Sequence, residues 1–268
     1  METPLIEFRN ITKRFGNRII LGNVNLKIYK NQVTVIIGKS GAGKSVLLKH
    51  IIGLLEPDEG VILFKGKPVD RINKDEWNIY TSHISYMFQN NALFDSMTVY
   101  ENIALPLRMT TSMNESEIDK KVMGQIVQTE LIEDVHKYPP ELSGGMQKRV
   151  ALGRALVTDP EIVLFDEPTS GQDIIRKNVI LNMIAEYQKR IGFTAILISH
   201  DLPDVFFITN RVLVLYEGKI IFQGCVKELE GCKHPFIDEF FRSTENFKSK
   251  LNIKSIQSEY GLAYRKED

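Results

Sequence analysis

Gly38-Lys39-Ser40-Gly41-Ala42-Gly43-Lys44-Ser45 decides the fold because of what flanks it. Ahead of it, Val33–Ile37 is an apolar run of strand length; behind it, Val46–Leu55 has helical character. A G-x-x-x-x-G-K-[ST] octapeptide between a strand and a helix is the pattern of a phosphate-binding loop. Its glycines let successive backbone N–H groups converge on phosphate oxygens, and the N-terminus of the following helix adds partial positive charge. Lys44 supplies a point charge to β- and γ-phosphates, and the Ser45 hydroxyl can coordinate Mg²⁺. Gly38, Ser40, Gly41, Ala42, Gly43, Lys44 and Ser45 are therefore the expected nucleotide contacts. The octapeptide alone does not say which machine uses the nucleotide.

Toward the C-terminus, Ile162-Val163-Leu164-Phe165-Asp166-Glu167 is an apolar strand that delivers two adjacent carboxylates. Open α/β sheets place their ligands at that end of a strand. Asp166 is expected to hold Mg²⁺, and Glu167 to face the γ-phosphate and polarise the attacking water. Toward the N-terminus, Ile6–Ile11, Gly22–Ile28 and Gly60–Phe64 read as short strands separated by turn residues such as Gly16-Asn17 and Lys30-Asn31. From Thr98 to Thr158 the pattern is helical, with Ile118, Val122, Ile126 and Val127 recurring through Glu115–Glu130. A helix from about Ile174 to Arg190 is predicted to turn Val179, Met183 and Ile184 to one side. The strand Ala195–Ser199 and a hairpin of Arg211–Tyr216 with Lys219–Phe222 follow. Strands alternating with helices imply a parallel core sheet.

Composition narrows the function classes. Lys+Arg and Asp+Glu both total 34, a balance that argues against a dedicated nucleic-acid binder, and the 43% apolar content allows a sizeable core. The first nine residues carry Glu2 and Glu7 and no apolar core of a secretory signal. No apolar run approaches the roughly 18 residues that span a bilayer. Cys225, Cys232 and His234 are too few for a structural zinc site, which usually takes four ligands. A protein of a reducing cytosol is expected.

The discriminating element is Leu142-Ser143-Gly144-Gly145-Met146-Gln147-Lys148-Arg149, which enters a helix through Val150–Leu156. It resembles the signature of the ATP-binding-cassette ATPases, and its place between Gly38–Ser45 and Asp166-Glu167 matches theirs. Physically it is a second anion site, a Ser hydroxyl and glycine N–H groups at a helix N-terminus. The resemblance implies a P-loop NTPase (RecA-like) α/β core with a parallel sheet, an N-terminal antiparallel β subdomain and an α-helical signature subdomain. It implies a cassette over residues 1–243, with the helical part inserted at about 90–158. It further implies that Ser143, Gly144 and Gly145 clamp the ATP held by a second copy of the chain, head to tail. By the same resemblance Gln89 contacts Mg²⁺ and the attacking water, His200 contacts the γ-phosphate, Asp173 bridges the two sites, and Phe15 stacks on adenine where the family usually has Tyr.

Within the family, Gly43–His50, Phe88–Val99, Asn102–Leu107, Met146 and Gln172 are similar to the motors of Mla and Mce lipid transport systems. That likeness implies phospholipid transport in a double-membraned bacterium and a peripheral position on the cytoplasmic face of the inner membrane. It implies a permease docking near Gln89–Val99, an Mce-type substrate-binding protein and a small accessory domain as further partners. Ala92-Leu93-Phe94-Asp95 weighs most here, read either as a groove for an apolar helix or as helical-subdomain core. Ile174 stands where Pro is usual and Gly153 where Ala is usual; Gly153 should cost its helix up to about 1 kcal/mol. The extension 244–268, polar with spaced apolar residues, is expected either to contact the opposing subunit or to be a disordered tail. A cytosolic cassette without a membrane partner, such as an iron–sulfur assembly component, shares every nucleotide motif. Chromosome-maintenance cassettes need a long coiled-coil insertion and translation-associated ones usually carry two cassettes; this chain has neither.

Overall fold

Val33–Ile37 is buried at all of its positions, as a strand covered on both faces must be, and the molecule is organised around it. The computed structural model describes residues 3–69, 73–200 and 204–243. In chain order they form β1 (Ile6–Phe15), β2 (Arg18–Ile28), β3 (Val33–Ile37), α1 (Lys44–Ile51), β4 (Glu59–Phe64), β5 (Lys67–Pro68), α2 (Lys74–Ser82), β6 (Ile84–Met87), α3 (Val99–Thr110), α4 (Glu115–Gln128) and α5 (Gly144–Leu156). After these come β7 (Ile162–Asp166), α6 (Ile174–Ile191), β8 (Thr194–Ile198), β9 (Arg211–Tyr216), β10 (Lys219–Gly224), α7 (Val226–Glu230) and α8 (Pro235–Ser243). The extension 244–268 lies outside the described residues.

β3 is an inner strand of a six-stranded sheet, β10-β9-β3-β8-β7-β6, parallel throughout except for the β9–β10 hairpin. The parallel register sets the functional edge. Ile36 pairs with Ile198, Ile198 with Asp166, and Met87 with Phe165, so the segments after β3, β6, β7 and β8 all leave the sheet at its C-terminal edge. A second, antiparallel sheet of order β2-β1-β4-β5 comes from the N-terminal part of the chain.

Three apolar clusters hold these layers. One joins β1, β2 and α1 to one face of the six-stranded sheet through Phe8, Leu21, Leu47, Ile36 and Leu164. A second covers the other face with α5, α6 and α8, including Leu152, Ile180, Ile184 and Phe236. The third is helical, built from Val99, Ile103, Leu107, Val122, Ile126 and Val150 on α3, α4 and α5. The α/β core, the antiparallel β part and the helical part are thus all present.

The structure corrects the sequence reading in four places. β1 and β2 extend toward each other as far as Phe15 and Arg18, past the expected strand ends, because the tight turn at Gly16 (φ 57°) keeps them paired. α2 was not expected, yet Asn73 caps it by accepting from the N–H groups of Asp75 and Glu76. On α6 the predicted side divides: Val179 and Met183 line a groove beside α5, whereas Ile184 is buried in the core with Ile180, Leu181 and Tyr187. Gly153 has a packing reason: a Cβ there would lie 3.1 Å from Ile103 Cδ1 and 3.4 Å from Thr129 Cγ2, so the glycine lets α3 and α5 approach closely. That contact offsets its helix penalty.

Candidate active site

The loop after β3 is shaped by its own neighbours. A Cβ on Gly38 would sit 2.2 Å from the Leu215 carbonyl oxygen, so no other residue fits without moving β9. Gly43 has φ 103°, and a Cβ there would meet the Ile20 carbonyl at 3.2 Å and Leu21 Cδ2 at 3.0 Å on β2. Gly41 also adopts a left-handed conformation (φ 76°), although the space around it is open. Inside the curl, Lys44 is buried, and its ammonium donates to the Gly38 and Lys39 carbonyls at 2.8 and 3.0 Å. Burial pulls its pKa down, and the nearby carboxylates of Glu167 and Asp166 pull it back up. Lys44 is thus held over the loop with negative charge beside it. Ser40 and Ser45 are exposed and Ala42 is half-buried.

Asp166 ends β7, and Tyr86 on β6 donates its phenol to Asp166 Oδ2 at 2.6 Å. Burial, with the hydrogen bond and charge of Asp166, pushes the Tyr86 pKa up. The next residue, Glu167, has φ 49°, a conformation uncommon outside glycine, and its N–H is fixed to the Ile198 carbonyl at 3.1 Å. Two groups approach its carboxylate. Gln89 Nε2 donates to Oε2 at 3.3 Å and to Ser170 Oγ at 3.0 Å, and His200 Nδ1 lies 3.5 Å from Oε1. Lys44, Gln89, Asp166, Glu167 and His200, scattered through 157 residues of chain (44 to 200), converge at one sheet edge.

The segment after Gln89 is fastened from two sides. Lys148, buried on α5, donates to the Gln89 carbonyl at 3.1 Å, and Arg154 donates to the carbonyls of Asn91 (2.6 Å) and Ala92 (2.8 Å). The fully buried Asn102 donates to the carbonyls of Phe94, Met97 and Thr98 and accepts from Phe94 N–H. Leu93 packs into both the helical and the sheet clusters, whereas Phe88 and Phe94 are about half exposed. The two readings of Ala92–Asp95 therefore divide between residues: Leu93 is core and Phe94 is outward surface.

The remaining expected residues stand elsewhere. Ser143 caps α5, accepting from Met146 N–H at 3.3 Å, and a Cβ on Gly144 or Gly145 would meet nothing within 4 Å. Ser143 and Gly145 line a groove of about 250 Å³ with Arg149, Arg176, Val179 and Met183. Asp173 caps α6 through Arg176 N–H at 2.9 Å and pairs with the guanidinium of Arg176, a lining residue of that groove, at 3.3 Å. Phe15 ends β1 with half its surface exposed and Lys13 Nζ 5.8 Å from its ring centroid. Tyr86 and Ser170 were missed as site residues; the readable signal for Tyr86 was a phenol inside an apolar strand, since such hydroxyls need a partner.

The groups expected to hold a metal here, the Asp166 carboxylate, the Ser45 hydroxyl and the Gln89 amide, all offer hard oxygen donors. Among the described residues no group of three or more His, Cys, Asp or Glu could hold a metal. That sparse set fits Mg²⁺, which is usually bound by one or two carboxylates together with substrate phosphates.

Comparison with known proteins gives the site its context. The ABC transporter family profile matches residues 21–170. The intermembrane phospholipid transport system ATP-binding protein MlaF of Haemophilus influenzae is 37% identical over 229 residues, 85% of this chain and 87% of that one. CbiO1 of Clostridium perfringens, part of an ABC transporter complex, superposes with a TM-score of 0.80 at 29% identity, covering 97% of this chain and all of that one. An ATP-binding cassette solved as a dimer in a post-hydrolysis state with ADP and Pi superposes with a TM-score of 0.71 at 29% identity, covering 82% and 98%.

Proposed function

This chain belongs to the ABC transporter family and is an ATP-hydrolysing motor subunit; from that premise we propose that it drives phospholipid between the membranes of a double-membraned bacterium. The observation that carries the cargo is the 37% identity to a phospholipid transport ATP-binding protein along 85% of the chain. In this reading the cassette is 1–243 with the helical part at about 90–158, and it sits peripherally on the cytoplasmic face of the inner membrane. Among the described residues no helix is long and apolar enough to cross a membrane; in this reading a separate permease carries the span. The permease docks on the surface of Gln89–Val99, where Phe94 stands exposed, with the exposed Phe88 just ahead of it. An Mce-type substrate-binding protein and a small accessory domain complete the assembly.

The chemistry follows from the site. Backbone N–H groups of 38–45 and the Lys44 ammonium bind the β- and γ-phosphates, and Phe15 stacks on adenine. Ser45, Asp166 and Gln89 would hold Mg²⁺, which would supply charge neutralisation to the phosphates when bound. Glu167 accepts the proton of the attacking water, and His200, beside it, donates to the γ-phosphate. Ser143, Gly144 and Gly145 cover the nucleotide of a second copy, and Asp173 lies at the same interface. The empty space around Gly144 and Gly145 supports that role, since nothing in their own chain requires glycine there.

The test is a reconstitution. The chain, purified with its permease from detergent-solubilised membranes, is placed in donor vesicles carrying fluorescent phospholipid. ATP-dependent transfer to acceptor vesicles that is lost in Glu167→Gln is expected. ATP turnover with no lipid transfer overturns the cargo.

A further inference from the structure

Asp166 has two carboxylate oxygens, and the ion in the proposed reading needs one of them. The other is taken. Tyr86 Oη lies 2.6 Å from Oδ2, and since an ionised carboxylate only accepts, the phenol is the donor. That length falls in the range of charge-assisted O–H···O⁻ bonds, which are about twice as strong as neutral ones. We infer that Tyr86 is a positioning residue for metal binding: its phenol fixes the plane of the Asp166 carboxylate so that Oδ1 is presented to Mg²⁺.

The fold gives Tyr86 this reach. β6 and β7 run parallel with Tyr86 opposite Leu164, and Asp166 is two residues further along β7 on the same face as Leu164. The ring packs against the sheet cluster and lies 4.6 Å from the Phe88 ring, so it has little freedom to swing away. Lys44, whose ammonium interacts electrostatically with Asp166, would otherwise compete to orient the carboxylate. A hydrogen bond from Tyr86 on one oxygen settles that competition in favour of the ion. Carboxylates that bind metal are themselves usually hydrogen-bonded, and losing such a partner typically lowers metal affinity or activity 10- to 100-fold. The ring contacts alone would be met equally by Phe; only the hydroxyl distinguishes Tyr.

The inference rests on Asp166 as the metal ligand, and the experiment separates the two. Mn²⁺ is titrated by electron paramagnetic resonance into the full chain loaded with a non-hydrolysable ATP analogue, for wild type, Tyr86→Phe, Asp166→Asn and the double variant. Tyr86→Phe is expected to weaken Mn²⁺ about tenfold, with nucleotide affinity in EDTA and Tm unchanged. In the Asp166→Asn background it should add nothing. Unchanged Mn²⁺ affinity in Tyr86→Phe overturns the positioning role, as does an equal loss on top of Asp166→Asn. A fall that tracks Tm and EDTA nucleotide affinity overturns it too. Asp166→Asn binding Mn²⁺ as wild type instead breaks the ligand assignment beneath it.

Discussion

The two glycine-bearing loops of this molecule look alike in sequence and differ in what their surroundings demand. In the loop of 38–45, Gly38 faces the Leu215 carbonyl at 2.2 Å from where a Cβ would be, and Gly43 combines φ 103° with contacts to Ile20 and Leu21. The chain itself requires those glycines. At Ser143-Gly144-Gly145 the serine is an extended N-cap and the two glycines open an ordinary helix; the space beyond them is open, and alanine would favour the helix. A residue that its own fold does not need, and that costs stability, points to a requirement outside the chain. In the proposed dimer, one loop completes a site and the other offers half of one.

Substitutions can break or sharpen that contrast. The largest effect is expected at Glu167, where both loops converge functionally. Glu167→Gln should lower ATP turnover at least about 100-fold while nucleotide stays bound, measured by phosphate release beside equilibrium binding. Near-normal turnover would remove Glu167 as the proton acceptor. Gly38→Ala comes next. Its Cβ must displace a backbone carbonyl, so a loss of about 1–3 kcal/mol should appear in denaturant unfolding, with nucleotide affinity falling alongside. Gly145→Ala should do the reverse to stability, raising it by up to about 1 kcal/mol. ATP-dependent dimerisation, followed by light scattering, should nevertheless weaken. If Gly145→Ala destabilised the isolated chain as Gly38→Ala does, the contrast between the loops would be gone.

Much of this arrangement was legible in the residues. The apolar runs before Gly38 and through Ile162–Phe165 became buried parallel strands because no other placement satisfies a fully apolar strand. Glu167 and His200 were readable from position, but their 3.5 Å approach depends on β7 and β8 being neighbours, which is a property of strand order rather than of either segment. α2 carried a readable start, Asn73 followed by Glu76, which was hidden by its weak apolar pattern: only Tyr80 is buried. Ile184 parts from Val179 and Met183 for a different reason. A helix packed on two sides has two apolar stripes: Ile184, with Leu181 and Tyr187, faces the core, Val179 and Met183 line the groove beside Ser143, and Ile180 reaches both. Tyr86 was invisible as a functional group because, within Ile84–Phe88, it counts as one more apolar residue until its partner across the sheet is known.

Lys148 and Arg154 hold the turn after Gln89 solely through main-chain carbonyl oxygens. Carbonyls are present whatever the side chain, so that clasp is indifferent to the identity of residues 89, 91 and 92. Outward groups such as Phe88 and Phe94 can be exchanged for others without loosening it. On the docking proposed for this surface, the fold thereby keeps a fixed transmission behind a replaceable coupling, one that a different membrane partner could meet through changes at a few surface residues.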